Sequence, residues 1–136
     1  MAGIDVPDTG NIFNDIVEMM RILRSPGGCP WDIKQTLESA VKDLLGEADE
    51  LREALEKGDI DNLREELGDV LWGIIFTANI ARERDIFTIE DVLRDVKDKI
   101  ARRHPHVFGD AVAESPEEAM MLFTRAKEME KNGNRE

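Results

Sequence analysis

A single cysteine, Cys29, stands in 136 residues, so no disulfide can close within the chain. That fits a reducing compartment, and the cytoplasm is the expected location. Tyrosine is absent, aromatic residues amount to 5%, and no run alternates apolar with polar residues. Those are the marks of strands, and their scarcity excludes a β-rich fold. No stretch approaches the roughly 18 consecutive apolar residues of a membrane span, and no basic-then-apolar signal region opens the chain, so no membrane partner is expected. Positive charge is scarce too: 18 Lys and Arg face 30 Asp and Glu, a net charge of −12. Nucleic acid as a polymer is therefore not an expected partner, because phosphate contacts need clustered Lys and Arg. A free polyphosphate would also be repelled unless it came with metal or met a local basic patch.

Apolar residues make up 41% and charged residues 35%, the balance of a soluble globular chain long enough to bury one core. The periodicity predicts an all-α bundle of about five helices with short connections, which make neighbours antiparallel. Residues 1–10 carry Gly, Pro and Asp without periodicity and read as a loose arm, residues 11–131 as one helical domain, and residues 132–136 as a frayed polar tail. A first helix is expected from about Asn11 to Arg24, with Ile12, Ile16, Met19, Met20 and Leu23 on one face, ended by Ser25-Pro26-Gly27-Gly28. Cys29-Pro30-Trp31-Asp32 reads as an ordered loop. A second helix should begin near Asp32 or Thr36 and run to Lys57, and a third should run from about Ile60 to Arg84. Thr88 suits an N-cap for a fourth helix reaching Arg103, where His104-Pro105 stops it. Ser115 and Pro116 open a last helix to Lys131.

The chemistry concentrates in two acid pairs, Glu47/Glu50 and Glu66/Asp69, each spaced three residues apart. At about 100° per residue, each pair shares one side of a helical turn. Glu47 falls inside the apolar arc of Leu44, Ala48, Leu51, Ala54 and Leu55, with Glu50 at its edge. Glu66 and Asp69 fall beside the strip of Leu63, Leu67, Val70 and Ile74, on a helix so apolar beyond Val70 that it is expected to be central. Carboxylates facing a core need a cation, and a hard divalent ion such as Mg²⁺ suits four of them. On the fourth helix Lys99 and Arg103 project from the strip of Ile89, Val92, Leu93, Val96 and Ile100, and Arg102 and His104 extend a local basic patch. Gly46, Gly68 and Gly73 each cost roughly 1 kcal/mol against Ala inside a helix, which suggests close backbone approach or room for a ligand.

Each feature also has a plainer reading. A lone Glu-x-x-Glu is most often a solvated face, and Lys99 and Arg103 could be helix-end residues favoured by the dipole. Trp31 is most often a plug over a helix end, and otherwise a stacking platform for a base. Cys29 reads as a small buried residue rather than a nucleophile, His104 and His106 as a turn rather than a zinc site, and Met120-Met121 as core or interface packing. A ferritin-like metalloprotein would need Glu-x-x-His on helices, and both histidines flank Pro105 instead. A non-catalytic helical module that binds a nucleotide or metal stays as the alternative to an enzyme.

Cys29-Pro30-Trp31-Asp32, Gln35-Thr36, Gly46 to Glu50, Glu65 to Asp69 and Arg102 to Phe108, in that order, resemble the MazG nucleoside triphosphate pyrophosphohydrolases over about Ile12 to Asp110. The resemblance implies the all-α NTP pyrophosphatase fold and hydrolysis of NTPs or dNTPs to monophosphate and pyrophosphate. It implies Mg²⁺, with Mn²⁺ as an alternative ion, held by Glu47, Glu50, Glu66 and Asp69. It implies phosphate contacts from Lys99 and Arg103, with Arg102 and Trp31 as further substrate contacts, and assembly as a homodimer or homotetramer. Glu50 is the expected general base. The family often has an acid where Gly46 stands, and many members carry two such domains where this sequence holds one.

Overall fold

The computed structural model describes residues 3–133, so the first two residues of the expected arm and positions 134–136 of the expected tail lie outside it. The described residues form α1 (Ile12–Leu23), α2 (Pro30–Ile33), α3 (Leu37–Glu56), α4 (Ile60–Glu83), α5 (Ile89–Arg103), α6 (Pro105–Phe108) and α7 (Pro116–Lys131), with no strand among them. The five long helices match the sequence reading. The two short ones were not foreseen: the Cys29–Asp32 loop is largely a turn of helix opened by Pro30, and Pro105 opens another after ending α5. Pro suits a first helical position, where its missing N–H has no partner to lose.

The long helices begin where side chains cap free backbone N–H groups. Asn11 accepts from Asn14 at 3.0 Å and Asp59 from Asn62 at 3.1 Å. Thr36 and Ser39 close a reciprocal box, each backbone N–H bonded to the other's hydroxyl at 2.9 and 3.1 Å. Ser115 accepts from Glu118 at 3.1 Å. Gly58, at φ +68°, turns the chain between α3 and α4. None of the described helices is long and apolar enough to cross a membrane.

The chain divides into two compact units, residues 1–89 and 90–136. In the first, α3 and α4 form a long antiparallel hairpin, and α1 packs on α4. Its core is Met20 and Ile75, both fully buried, with Val17, Ala40, Ala54, Ala78, Ile80, Ala81 and Ile89. Gly73 provides the expected close approach, since a Cβ there would lie 3.0 Å from Leu44. Gly46 and Gly68 do not: nothing lies within 4 Å of where their Cβ atoms would be. The arm is less loose than expected at its end, where the Thr9 N–H and hydroxyl both donate to buried Asp15, the hydroxyl at 2.7 Å.

Several expected core faces are open. Leu67 is 55% and Ile74 38% exposed, and α4 is buried instead through Ile75, Ala78, Asn79, Ile80 and Ala81. Leu55 of α3 and Ile12 of α1 also lie exposed. α4 is thus covered on one side rather than central, because so few helices supply neighbours for only part of its circumference.

In the second unit α6 packs on α7. Glu130 of α7, a buried acid, accepts from Arg102 Nε at 3.0 Å and from Arg103 Nη2 at 2.9 Å. Of the expected α5 strip only Ile89 is buried, while Leu93, Val96 and Ile100 stay exposed, as do Met120 and Met121 of α7, which are therefore not core. The His104 ring meets Phe123 edge-on, with centroids 5.6 Å apart, and its Nδ1 lies 2.6 Å from the Ile100 carbonyl, while His106 lies within the short helix α6 rather than in a turn.

Candidate metal and nucleotide site

The α3–α4 hairpin brings the two acid pairs together. Glu47, on the inner side of α3, meets Glu66 and Asp69 of α4, and one carboxylate oxygen from each lies within 4.8 Å of the others. No other group of three or more His, Cys, Asp or Glu side chains is so arranged among the described residues. Burial is graded rather than uniform. Glu66 is buried and Glu47 half-buried, while Glu50 and Asp69 are exposed at the rim. The expectation of four core-facing carboxylates therefore holds for the inner two only.

The electrostatics record the strain of this cluster. The Glu47 carboxyl is pushed up to about 7, first by its contact with Glu50, then by burial and by Glu66, with the charges of Glu50 and Asp69 adding to the effect. Burial pushes Glu66 up as well, against the lowering effect of a hydrogen bond from Glu47. Oε2 of Glu47 and Oε2 of Glu66 are buried with no hydrogen-bond donor. Buried acceptors without donors are costly. Either a shared proton or a cation satisfies them, and a hard, oxygen-liganded divalent ion suits an all-carboxylate donor set. The residues present thus fit a metal of the Mg²⁺ type.

Beside the acids lies a cleft of about 510 Å³. Glu47, Glu50 and Asp69 form its acidic side, and Trp31, Trp72 and Phe76 supply aromatic surface, with Gln35 and Lys42 among its polar lining. Trp31 is 64% exposed, with the Lys34 ammonium 4.2 Å from its ring centroid, so it plugs no helix end. Trp72 was not singled out in the sequence, although its position three residues after Asp69 puts it on the same side of α4. Lys42, a cation in an acidic cleft, had no sequence signal apart from its place on the acid-bearing helix. Lys99, Arg102 and Arg103 lie on α5 in the second unit, where Glu130 engages both arginines and Lys99 is exposed.

A family model described as "MazG nucleotide pyrophosphohydrolase domain" matches residues 35–108, and the chain belongs to this family. A Thermotoga maritima protein named nucleoside triphosphate pyrophosphohydrolase/pyrophosphatase MazG is 53% identical over 104 residues, covering 76% of this chain and 41% of that protein. The nucleoside triphosphate pyrophosphohydrolase of Escherichia coli K12 is 38% identical over 122 residues, covering 89% of this chain and 46% of that protein. The chain thus spans less than half the length of these relatives. The crystal structure of a MazG-related protein from Thermotoga maritima superposes with a TM-score of 0.72 at 31% identity, covering 85% of this chain and 98% of that one.

Proposed function

We propose that this chain hydrolyses nucleoside triphosphates, ribo- or deoxyribo-, to the monophosphate and pyrophosphate with Mg²⁺, and that Mn²⁺ can replace it. The observation that carries this reading is the convergence of Glu47, Glu66 and Asp69 on one point, with two buried carboxylate oxygens that have no donor, beside an aromatic-lined cleft. The family membership supports it.

In this reading Glu47, Glu50, Glu66 and Asp69 hold the metal, which when bound offsets phosphate charge and polarises a phosphoryl oxygen. Glu50, at the exposed rim, takes the proton from the attacking water. That water forms the new bond to the α-phosphorus, and the bond to the bridging oxygen of pyrophosphate breaks. Trp31 stacks on the base. Lys99 and Arg103 contact the phosphates and Arg102 supports them; the Glu130 contacts occupy Nε and Nη2 of Arg103. Residues 11–131 act as one domain in the cytoplasm, and two or four copies assemble through apolar residues left exposed in the single chain, Leu67, Leu71 and Ile74 among them.

The test is pyrophosphate release from a panel of canonical and modified triphosphates, with and without Mg²⁺. Metal-dependent release supports the proposal. Nucleotide and metal binding without turnover would leave the non-catalytic module as the better description.

A further inference from the structure

One buried cation in the first unit belongs neither to the acid cluster nor to the core. Arg24 sits at the end of α1 with its side chain only 8% exposed. Its guanidinium fork is fully directed. Nε and Nη2 donate to the two oxygens of Glu83 on α4 at 2.9 and 2.8 Å. Nη1 donates to the Asp32 carbonyl and, at 3.2 Å, to the Gln35 carbonyl. The same guanidinium lies 5.7 Å from the Phe76 ring centroid. Glu83 is held in place by Asn79 Nδ2 at 2.7 Å, and its carboxyl is kept below its ordinary value, first by the Arg24 hydrogen bond.

These contacts fall on the segment that carries the cleft's aromatic edge. α2 has four residues, too few to hold its shape alone, and among backbone donors its Pro30 and Asp32 carbonyls meet only the Lys34 and Gln35 N–H groups just past its end. Arg24 supplies donors to carbonyls on either side of Lys34, at Asp32 and Gln35, and ties both to α4. Trp31 stands one residue before the first of them and Gln35 carries the second, and Trp31, Gln35 and Phe76 all line the cleft. Glu83 offsets the charge of Arg24, so the tie adds no net charge beside the acids. A lysine could reach the carboxylate or the carbonyls, but one ammonium cannot replace a planar fork that serves both.

We propose that Arg24 is the positioning residue of the nucleoside side of the cleft, fixing the Pro30–Gln35 turn against α4 so that Trp31 and Gln35 face the base while the acids take the metal and phosphates. This rests on the nucleotide reading given above. Arg24 touches neither metal nor phosphate, so its effect is on nucleotide capture and not on the chemical step.

The test compares Arg24→Lys and Arg24→Met with the unaltered chain by amide hydrogen exchange, by Mg²⁺ and Mg²⁺–nucleotide calorimetry, and by steady-state kinetics. Exchange of residues 29–36 is expected to quicken about ten-fold while amides in the middle of α3 and α4 keep their rates. KM and the nucleotide dissociation constant should rise about ten-fold with kcat within about three-fold, and the affinity for Mg²⁺ alone should not move. A folded Arg24→Lys chain with unaltered exchange at 29–36 and unaltered nucleotide affinity would overturn the proposal. So would an even loss of protection across residues 12–83 in both variants, which would make Arg24 a folding residue only. If the unaltered chain turns over no nucleotide, the hydrolase reading fails by itself, and exchange with calorimetry still decides the role of Arg24.

Discussion

Glu47 and Glu66 face one another across the α3–α4 hairpin, each with a buried oxygen that no donor satisfies. A proton or a cation between its members relieves both the repulsion and the unsatisfied oxygens. Because Glu47 is pushed up to about 7 from an ordinary 4.5, the metal-free fold binds this proton more tightly than the unfolded chain does. Its contribution to stability is then complete below the ordinary value and disappears as pH rises through about 7. The metal-free protein should melt at a lower temperature at pH 8 than at pH 5, and saturating Mg²⁺ should remove most of that difference. Thermal scans in chelator and in Mg²⁺ check this.

Protons and metal compete for the same carboxylates. The apparent affinity for Mg²⁺ or Mn²⁺ should therefore weaken as pH falls through about 7, with proton release on binding that shrinks at higher pH. Calorimetry in buffers of different ionisation enthalpy measures both. Affinity that is flat between about pH 6 and 8 would remove Glu47 from the ligand set.

Glu66→Gln and Asp69→Asn each remove a charge from the cluster while keeping its shape. In the metal-free state Glu66→Gln should not destabilise, and should slightly stabilise, because it relieves the cost of burying a charge and the repulsion of Glu50 and Asp69, while the amide oxygen still accepts the Glu47 hydrogen bond. Pyrophosphate release should drop about a thousand-fold or more in either variant, equivalent to roughly 4 kcal/mol of barrier. Full turnover with either substitution would refute the site.

The helix ends were legible because they are local. Asn11, Thr36, Asp59, Ser115, Pro116 and Gly58 act within one turn of their own position, and the long helices begin or stop beside them. The acid cluster was legible for a related reason, since spacing of three fixes a shared side of the helix and a short turn brings the two sides together. Burial was not. Leu67, Ile74, Leu93 and Val96 are apolar at helical spacing and yet exposed, because a pattern of apolar residues does not say which faces one chain has enough helices to cover. Asn79, polar on an otherwise apolar stretch of α4, donates to Glu83 and accepts from Arg82. The tie from Arg24 to Glu83 spans 59 residues, and no periodicity reports such a pair.

Glu130 supplies a pH test in the second unit. Arg103 first, then Arg102, hold its carboxyl down at about 2. The sign is opposite to that of Glu47: the stabilisation is present above the ordinary value of 4.5 and is lost progressively as pH falls toward about 2. Glu130→Gln should lower stability at neutral pH and flatten its dependence between about pH 5 and pH 2. Acid titrations of helical circular dichroism for both chains read this, and parallel acid limbs would count against the ion pairs.

Two glycines allow the backbone argument to be tested with one kind of substitution and opposite signs. At Gly28 a Cβ would sit on the Ile22 and Leu23 carbonyl oxygens, both main-chain atoms at the end of α1 that cannot swing aside. The Cys29 N–H bonds the Leu23 carbonyl at 2.8 Å, so any retreat of the loop also costs that bond and disturbs the start of α2. Gly28→Ala should destabilise by about 2 kcal/mol or more. Gly46 lies inside α3 with nothing within 4 Å of its Cβ position, so Gly46→Ala meets no obstacle and should stabilise by up to about 1 kcal/mol through helix propensity alone. Paired denaturant unfolding curves decide both. A destabilising Gly46→Ala would mean that this position on α3 is covered in solution, by bound ligand or a second chain, which repeating the measurement across a range of protein concentration would separate.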